Sequence, residues 1–314
     1  MGLPYTLKHL EIKSCDMLIK NRMKWNLQRL TSLTELNLWG YGGVDSFPEE
    51  WLLPSSLTHL RIRGFGKLTA LNGKGFHHLT SLRRLELHLL EKLECLPAEG
   101  LPQTLTALTI SGCPLLEPRC KEGAGFIFAI YNNLIDWIGR LPIQMAKSEI
   151  FPCLKQFSLR SCGKINVALP IAFSLKSLRI ISCNMLMENR MKWNLQRLPS
   201  LIELYLKNYG GAVDSFPEEW LLPPSLTHLW IHGFDKLTAL NGKGFHHLTS
   251  LRRLELYSLK KLECLPAEGL PQTLTVLSIF GCPLLKPKFN EGTGEDWPKI
   301  QHIPNLNTDH WYAT

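Results

Sequence analysis

The chain has 314 residues, of which 45% are apolar and 20% charged, a balance that describes a soluble globular protein with ample core material. Its formal charge is +8, but Lys and Arg are spread along the chain rather than gathered in runs, so a mildly basic, solvated surface is expected and no nucleic-acid partner. The most apolar run, 125–138, contains Asn132, Asn133 and Asp136 and is too short to cross a bilayer; no N-x-Ser/Thr sequon occurs, and the chain opens without a secretory signal.

Taken in order, the chain repeats one pattern. It is clearest at Leu251-Arg252-Arg253-Leu254-Glu255-Leu256-Tyr257-Ser258-Leu259-Lys260-Lys261-Leu262, which reduces to L-x-x-L-x-L-x-x-L-x-x-L. Apolar residues at i, i+3 and i+5 fit a short strand entered through a turn, in a unit that buries its apolar edge only against neighbouring copies. Eleven such segments start at Leu7, Leu33, Leu57, Leu82, Leu105, Leu154, Leu175, Leu201, Leu226, Leu251 and Leu274. Most are spaced by 21 to 26 residues, with one gap of 49 between Leu105 and Leu154. The expected fold is α/β: a leucine-rich-repeat solenoid, a curved horseshoe with short parallel strands on the concave face and irregular loops and short helical turns on the convex face.

A second periodicity lies above the first. Residues 3–125 reappear at 171–294, and Leu68 to Leu87 is identical to Leu237 to Leu256. The expected organisation is a first block at 1–125, an interruption or degenerate repeat at 126–150, a near-duplicate second block at 151–294 and a C-terminal tail at 295–314. Cys15, Cys113, Cys162, Cys183 and Cys282 fall at one equivalent place per repeat and are expected to turn inward as reduced thiols.

No catalytic constellation is present: no G-x-S-x-G elbow, and no Cys with a plausible His and Asn set. The adjacent pairs His77-His78 and His246-His247 diverge in most backbones, so no metal and no cofactor is expected. Glu49-Glu50 and Glu218-Glu219 read as solvated charges at helix starts, and Trp25, Trp51, Trp193 and Trp220 as packing residues of the convex side.

The runs Gly100-Leu101-Pro102-Gln103-Thr104-Leu105-Thr106 and Gly112-Cys113-Pro114-Leu115-Leu116, with the tail Gly294-Glu295-Asp296-Trp297-Pro298-Lys299-Ile300, give the chain a specific likeness. It resembles the leucine-rich-repeat domain of plant intracellular nucleotide-binding disease-resistance proteins of the coiled-coil type. That resemblance implies a non-enzymatic, cytoplasmic recognition domain in innate immune defence. Its partner would be a protein: a pathogen effector, a guarded host protein or the nucleotide-binding domain of a parent receptor. No G-x-x-x-x-G-K-[ST] loop occurs, so nucleotide switching is not carried over. The alternatives are a generic intracellular adaptor or substrate-receptor scaffold, and a receptor fragment without independent function.

Recognition is expected on the positions between the inward leucines. These are Arg61, Arg63, Arg83, Arg84, Arg160, Arg179, Tyr205, Trp230, His232, Arg252 and Tyr257. Between the two blocks the leucines are kept, whereas Asn37 becomes Tyr205, Arg61 becomes Trp230, His88 becomes Tyr257 and Ser111 becomes Phe280. The second block has gained aromatic side chains beside arginines, the composition of binding hot spots.

Overall fold

The computed structural model describes residues 3–40, 43–97, 101–116, 151–165, 172–211, 213–289 and 292–308. The interruption expected at 126–150 lies outside them. The chain divides into two compact units, Met1–Leu175 and Lys176–Thr314.

In the first unit the strands are β1 (His9–Lys13), β2 (Glu35–Trp39), β3 (Ser46–Phe47), β4 (His59–Arg63), β5 (Ala70–Leu71), β6 (Arg84–His88), β7 (Ala107–Ser111) and β8 (Gln156–Arg160). Strands β1, β2, β4, β6, β7 and β8 pair in that order, all parallel, and β3 pairs with β5 away from them. The second unit repeats the plan with β9 (Ser177–Ile181), β10 (Glu203–Tyr209), β11 (Ser215–Phe216), β12 (His228–Phe234), β13 (Ala239–Leu240), β14 (Arg253–Tyr257), β15 (Val276–Phe280) and β16 (Asn305–Thr308). Here β9, β10, β12, β14, β15 and β16 form the parallel sheet, with β11 against β13. This is the leucine-rich-repeat solenoid the pattern predicts, and all eleven expected segments carry a strand.

Each of the eleven repeat strands starts two residues after its first leucine, for a local reason. That leucine closes a turn, its N–H bonded to the carbonyl three residues back, as in Leu57 to Pro54, Leu82 to Leu79 and Leu274 to Pro271. The two apolar residues of the strand then meet their equivalents in register: Leu36 and Leu38 face Leu60 and Ile62, which face Leu85 and Leu87. All six are fully buried or nearly so. Parallel pairing with equal repeats therefore makes stacks of like side chains, and each stack is core only because a neighbour covers it.

The strand exit is equally regular. The residue after the strand takes a left-handed conformation at Ser14, Gly64, Leu89, Gly112, Ser161, Ser182, Ser258 and Gly281, and the equivalent residues inside the longer strands β10 and β12, Asn208 and Gly233, do the same. Its N–H reaches the last carbonyl of the next strand, as in Gly64 to His88 at 3.0 Å and Leu89 to Ser111 at 2.8 Å. Glycine suits this position, and a leucine there is strained.

Strand β16 was not anticipated, because Asn305-Leu306-Asn307-Thr308 has a single apolar residue. It is brought alongside β15 by the preceding segment. Asp296, buried, accepts from the Leu265 N–H at 3.2 Å and from Lys299 Nζ at 2.6 Å, while Ile300 and Ile303 enter the core. The acidic tail motif is thus a staple that closes this end of the second unit.

Two expectations are corrected. Cys113, Cys162, Cys183 and Cys282 are buried, with each sulfur donating to the last strand carbonyl at 3.3–3.7 Å. Cys15 is exposed, just after β1, the strand that forms the sheet edge among the described residues. Cys95, outside that set of five, is disulfide-bonded. Glu49 and Glu218 begin no helix; they pair with Arg22 and Arg190.

Candidate functional site: the open faces of the two sheets

On each strand the residues between the inward leucines point to the open face of the sheet, and the in-register pairing arranges them in rows. In the first unit the central row runs Glu11, Asn37, Arg61, Glu86, Thr109, Ser158, and the next runs Lys13, Trp39, Arg63, His88, Ser111, Arg160.

The first unit's face is a charge network centred on Glu86, which is only 9% exposed. Arg61 Nε donates to it at 2.8 Å; the rings of His59 and His88 each lie 3.1 Å from one of its oxygens, and Arg84 is 3.9 Å away. Burial pushes the Glu86 carboxyl up, but hydrogen bonds from Arg61 and His88 and the charges of Arg61 and His59 outweigh it and bring the pKa to about 2. Burial pushes the His59 ring down, against the pull of Glu86 and Glu35. Beside this network Lys13 and Arg63 lie over the Trp39 ring, 5.4 and 4.3 Å from its centroid. Most of the charges around Glu86 are satisfied by the chain itself, while the buried Arg63 Nε has no hydrogen-bond partner among the described residues.

The second unit's face has the same backbone and a different surface. Its central row is Arg179, Tyr205, Trp230, Glu255, Ser278, Asn307, and the next is Ile181, Lys207, His232, Tyr257, Phe280. The rings form two groups of contacts. Tyr205 lies 6.4 Å from Trp230, and His228 stacks on Trp230 at 5.5 Å. His232 lies 5.9 Å from Tyr257, and Tyr257 stacks on Phe280 at 5.4 Å with planes 7° apart. The Tyr257 hydroxyl donates to Glu255 at 2.7 Å. Burial, the hydrogen bond to Glu255 and its charge push the Tyr257 phenol up to about 12. Burial, then the charge of Lys207, lowers the His232 ring.

A hollow of about 540 Å³ opens between β14 and β16, lined by Arg253, Glu255, Tyr257, Ser278, Phe280, Asn307 and Thr308. Among the described residues no group of three or more His, Cys, Asp or Glu side chains is placed to hold a metal ion. Nor is any helix among them long and apolar enough to cross a membrane.

Of the residues singled out from the sequence, Arg61, Arg63, Arg84 and Arg160 stand on the first face. Arg179, Tyr205, Trp230, His232 and Tyr257 stand on the second. Arg83 and Arg252 do not. Each precedes its strand by one residue and folds back onto turn carbonyls, Arg83 onto Thr80 at 3.1 Å and Arg252 onto Thr273 at 3.2 Å. Their neighbours Arg84 and Arg253 take the face position instead. Sequence reasoning also missed Glu86 and Glu255. The signal was there: they are charged residues kept in both blocks, in a row whose other members drift.

Trp51 and Trp220 are not packing residues. They are 63% and 59% exposed, left-handed in backbone, and stacked on His78 and His247 at 4.8 and 4.7 Å. Trp193, in contrast, is buried, its indole N–H on the Leu186 carbonyl.

No protein-family model matches the chain. A protein of Arabidopsis thaliana named as a disease resistance protein is 36% identical over 136 residues, 43% of this chain and 9% of the relative. The disease resistance protein RGA4 of Solanum bulbocastanum, also so named, is 46% identical over 50 residues, 15% of this chain and 5% of its own length. The chain thus matches only a small part of either relative. Among solved structures, a chain from the Toll–Spatzle complex of Drosophila aligns over 96% of this chain and 40% of its own, with a TM-score of 0.55 and 12% identity. That likeness is one of fold alone. The chain is a leucine-rich-repeat protein similar to plant disease-resistance proteins.

Proposed function

We propose that the chain is a non-enzymatic recognition domain of the plant disease-resistance type, working in the cytoplasm. It binds a protein partner through the open face of its second unit. The partner is a pathogen effector, a guarded host protein or the nucleotide-binding domain of a parent receptor. One observation carries this reading: Tyr205, Trp230, Tyr257 and Phe280 occupy consecutive strands of one face, each half-buried, with Arg179, Lys207 and Arg253 on the same face. Large, rigid rings with polar neighbours supply contact area at low entropic cost and concentrate binding energy. The corresponding first-unit positions, Asn37, Arg61, His88 and Ser111, are polar, and two of them, Arg61 and His88, already pair with Glu86.

Pull-down from plant extract with the purified chain tests the assignment. Trp230→Ala and Tyr205→Ala are expected to lose partners that the wild type retains, while Lys260→Ala, outside the strands, keeps them. Identical recovery with all four proteins would remove this face from consideration.

A further inference from the structure

We infer that the hollow beside Glu255 receives an arginine side chain of the bound protein. The inference rests on the second unit's face being the binding surface, and goes further by naming the chemical group that enters it.

The chain carries its own reference for this carboxylate. Glu86 and Glu255 are equivalent, similarly buried at 9% and 8% exposure, and each projects from the centre of its strand. Glu86 is surrounded by the Arg61 guanidinium, two imidazoles and Arg84. Around Glu255 that set has been dismantled. Arg61 is replaced by Trp230 and His88 by Tyr257. His228, the equivalent of His59, has turned to stack on Trp230 and to bond the Thr227 hydroxyl at 2.7 Å. What remains is the Tyr257 hydroxyl at 2.7 Å and Arg253 at 3.5 Å, a side chain 43% exposed. A buried carboxylate calls for close cationic or hydrogen-bonding partners, and this one has been left with one hydroxyl and one loose contact.

The approach is fixed by what surrounds it. Trp230 fills the side from which Arg61 reaches Glu86, so a ligand must come from the opposite side, where Ser278 and Asn307 leave the hollow open. The parallel rings of Tyr257 and Phe280 form one wall of it. A planar guanidinium satisfies both features: it stacks on an aromatic face and donates to a carboxylate in the same plane. A lysine ammonium offers the charge without the plane and fits less well. Phe280 stands where the first unit has Ser111, so the wall exists only in the unit whose carboxylate keeps a single cation, Arg253.

The test is selection of a randomised peptide library on the immobilised full chain, followed by titration of selected peptides and their citrulline analogues, which keep the shape of arginine without its charge. The expected result is enrichment of arginine, with affinity falling at least about tenfold on citrulline exchange and on Glu255→Gln. Phe280→Ser, which restores the first unit's residue and leaves the core untouched, is expected to weaken the same peptides. Glu86→Gln is expected to leave them unchanged. Peptides that depend on Trp230 but tolerate citrulline would overturn the arginine inference and leave the face standing. Peptides indifferent to Trp230, Glu255 and Phe280 alike would overturn both.

Discussion

Arg61 holds Glu86 at 2.8 Å on the first unit's face, and at the equivalent places of the second unit stand Trp230 and Glu255. A few substitutions in a duplicated frame, Arg61 to Trp230 first among them, convert a self-neutralised charge network into an aromatic surface beside a carboxylate. The leucine stacks beneath are unchanged, so the fold carries both versions.

The Glu86 network makes a pH prediction. Its folded pKa of about 2 lies below the ordinary 4.5, so its stabilising effect is complete above that value and is lost as pH falls from about 4.5 toward 2. The difference corresponds to on the order of 3 kcal/mol, an upper figure for a network part of which survives protonation. Glu86→Gln should therefore lower the urea midpoint clearly at pH 7 and much less at pH 2.5. Equal losses at both pH values would show that the ionised carboxylate contributes nothing.

A second prediction concerns the strand exits. Leu89 is left-handed with φ of 51° and its side chain 47% exposed, whereas Asn208 holds the like place after the Lys207 strand position with φ of 55°. Leu89→Asn should raise stability by about 0.5–1 kcal/mol, since asparagine tolerates this conformation and little burial is given up. Gly64→Ala should do the reverse by about 1–2 kcal/mol, because its Cβ would lie 2.9 Å from the Gly40 carbonyl oxygen at a φ of 74°. Thermal unfolding of the two variants decides the matter; a destabilised Leu89→Asn would mean the leucine has a contact role.

The eleven repeat strands were legible because each is announced by three apolar residues whose spacing only a turn and a pleat can satisfy, whereas the two-residue strands β3, β5, β11 and β13 carry no such pattern. Strand β16 was not, because its position depends on Asp296 and the two isoleucines that follow rather than on its own polar residues. Alternation put Arg61, Tyr205 and Trp230 on the face positions they occupy, yet placed Arg83 and Arg252 there as well. Two consecutive arginines cannot both point outward from a pleated strand, and the turn carbonyls that capture the first of each pair are invisible in a linear pattern. Which charges satisfy one another was likewise hidden, since Glu86 meets His59 and Arg61 only through the register of neighbouring strands.

The Asp296 staple can be cut separately. Asp296→Ala removes the acceptor of the Leu265 N–H and the partner of Lys299, leaving a buried donor unsatisfied. The expected loss is about 1–3 kcal/mol, localised to the closing segment. Hydrogen exchange should accelerate across 292–308, with the β9 and β10 amides unaffected. Uniform acceleration through the second unit would instead mean that this segment unfolds only with the whole.

The Tyr257–Glu255 contact sets one last expectation. Burial comes first in raising the phenol, and the hydrogen bond to Glu255 and that carboxylate's negative charge add to it, carrying the pKa from 10 to about 12. The neutral phenol is thus favoured by the folded protein, and the stability it contributes is present below pH 10 and lost as pH rises toward 12. Ultraviolet titration should show one tyrosine ionising later than the solvent-exposed ones, and Tyr257→Phe should delete that late step. Glu255→Gln should move it back toward 10 without removing it, because burial persists when the charge is gone. A late step that survives Tyr257→Phe belongs to another tyrosine, with Tyr209, also raised by burial, the first to examine. A late step untouched by Glu255→Gln would mean that burial alone sets it, and that the carboxylate's electrostatic hold on the aromatic wall is too weak to orient Tyr257.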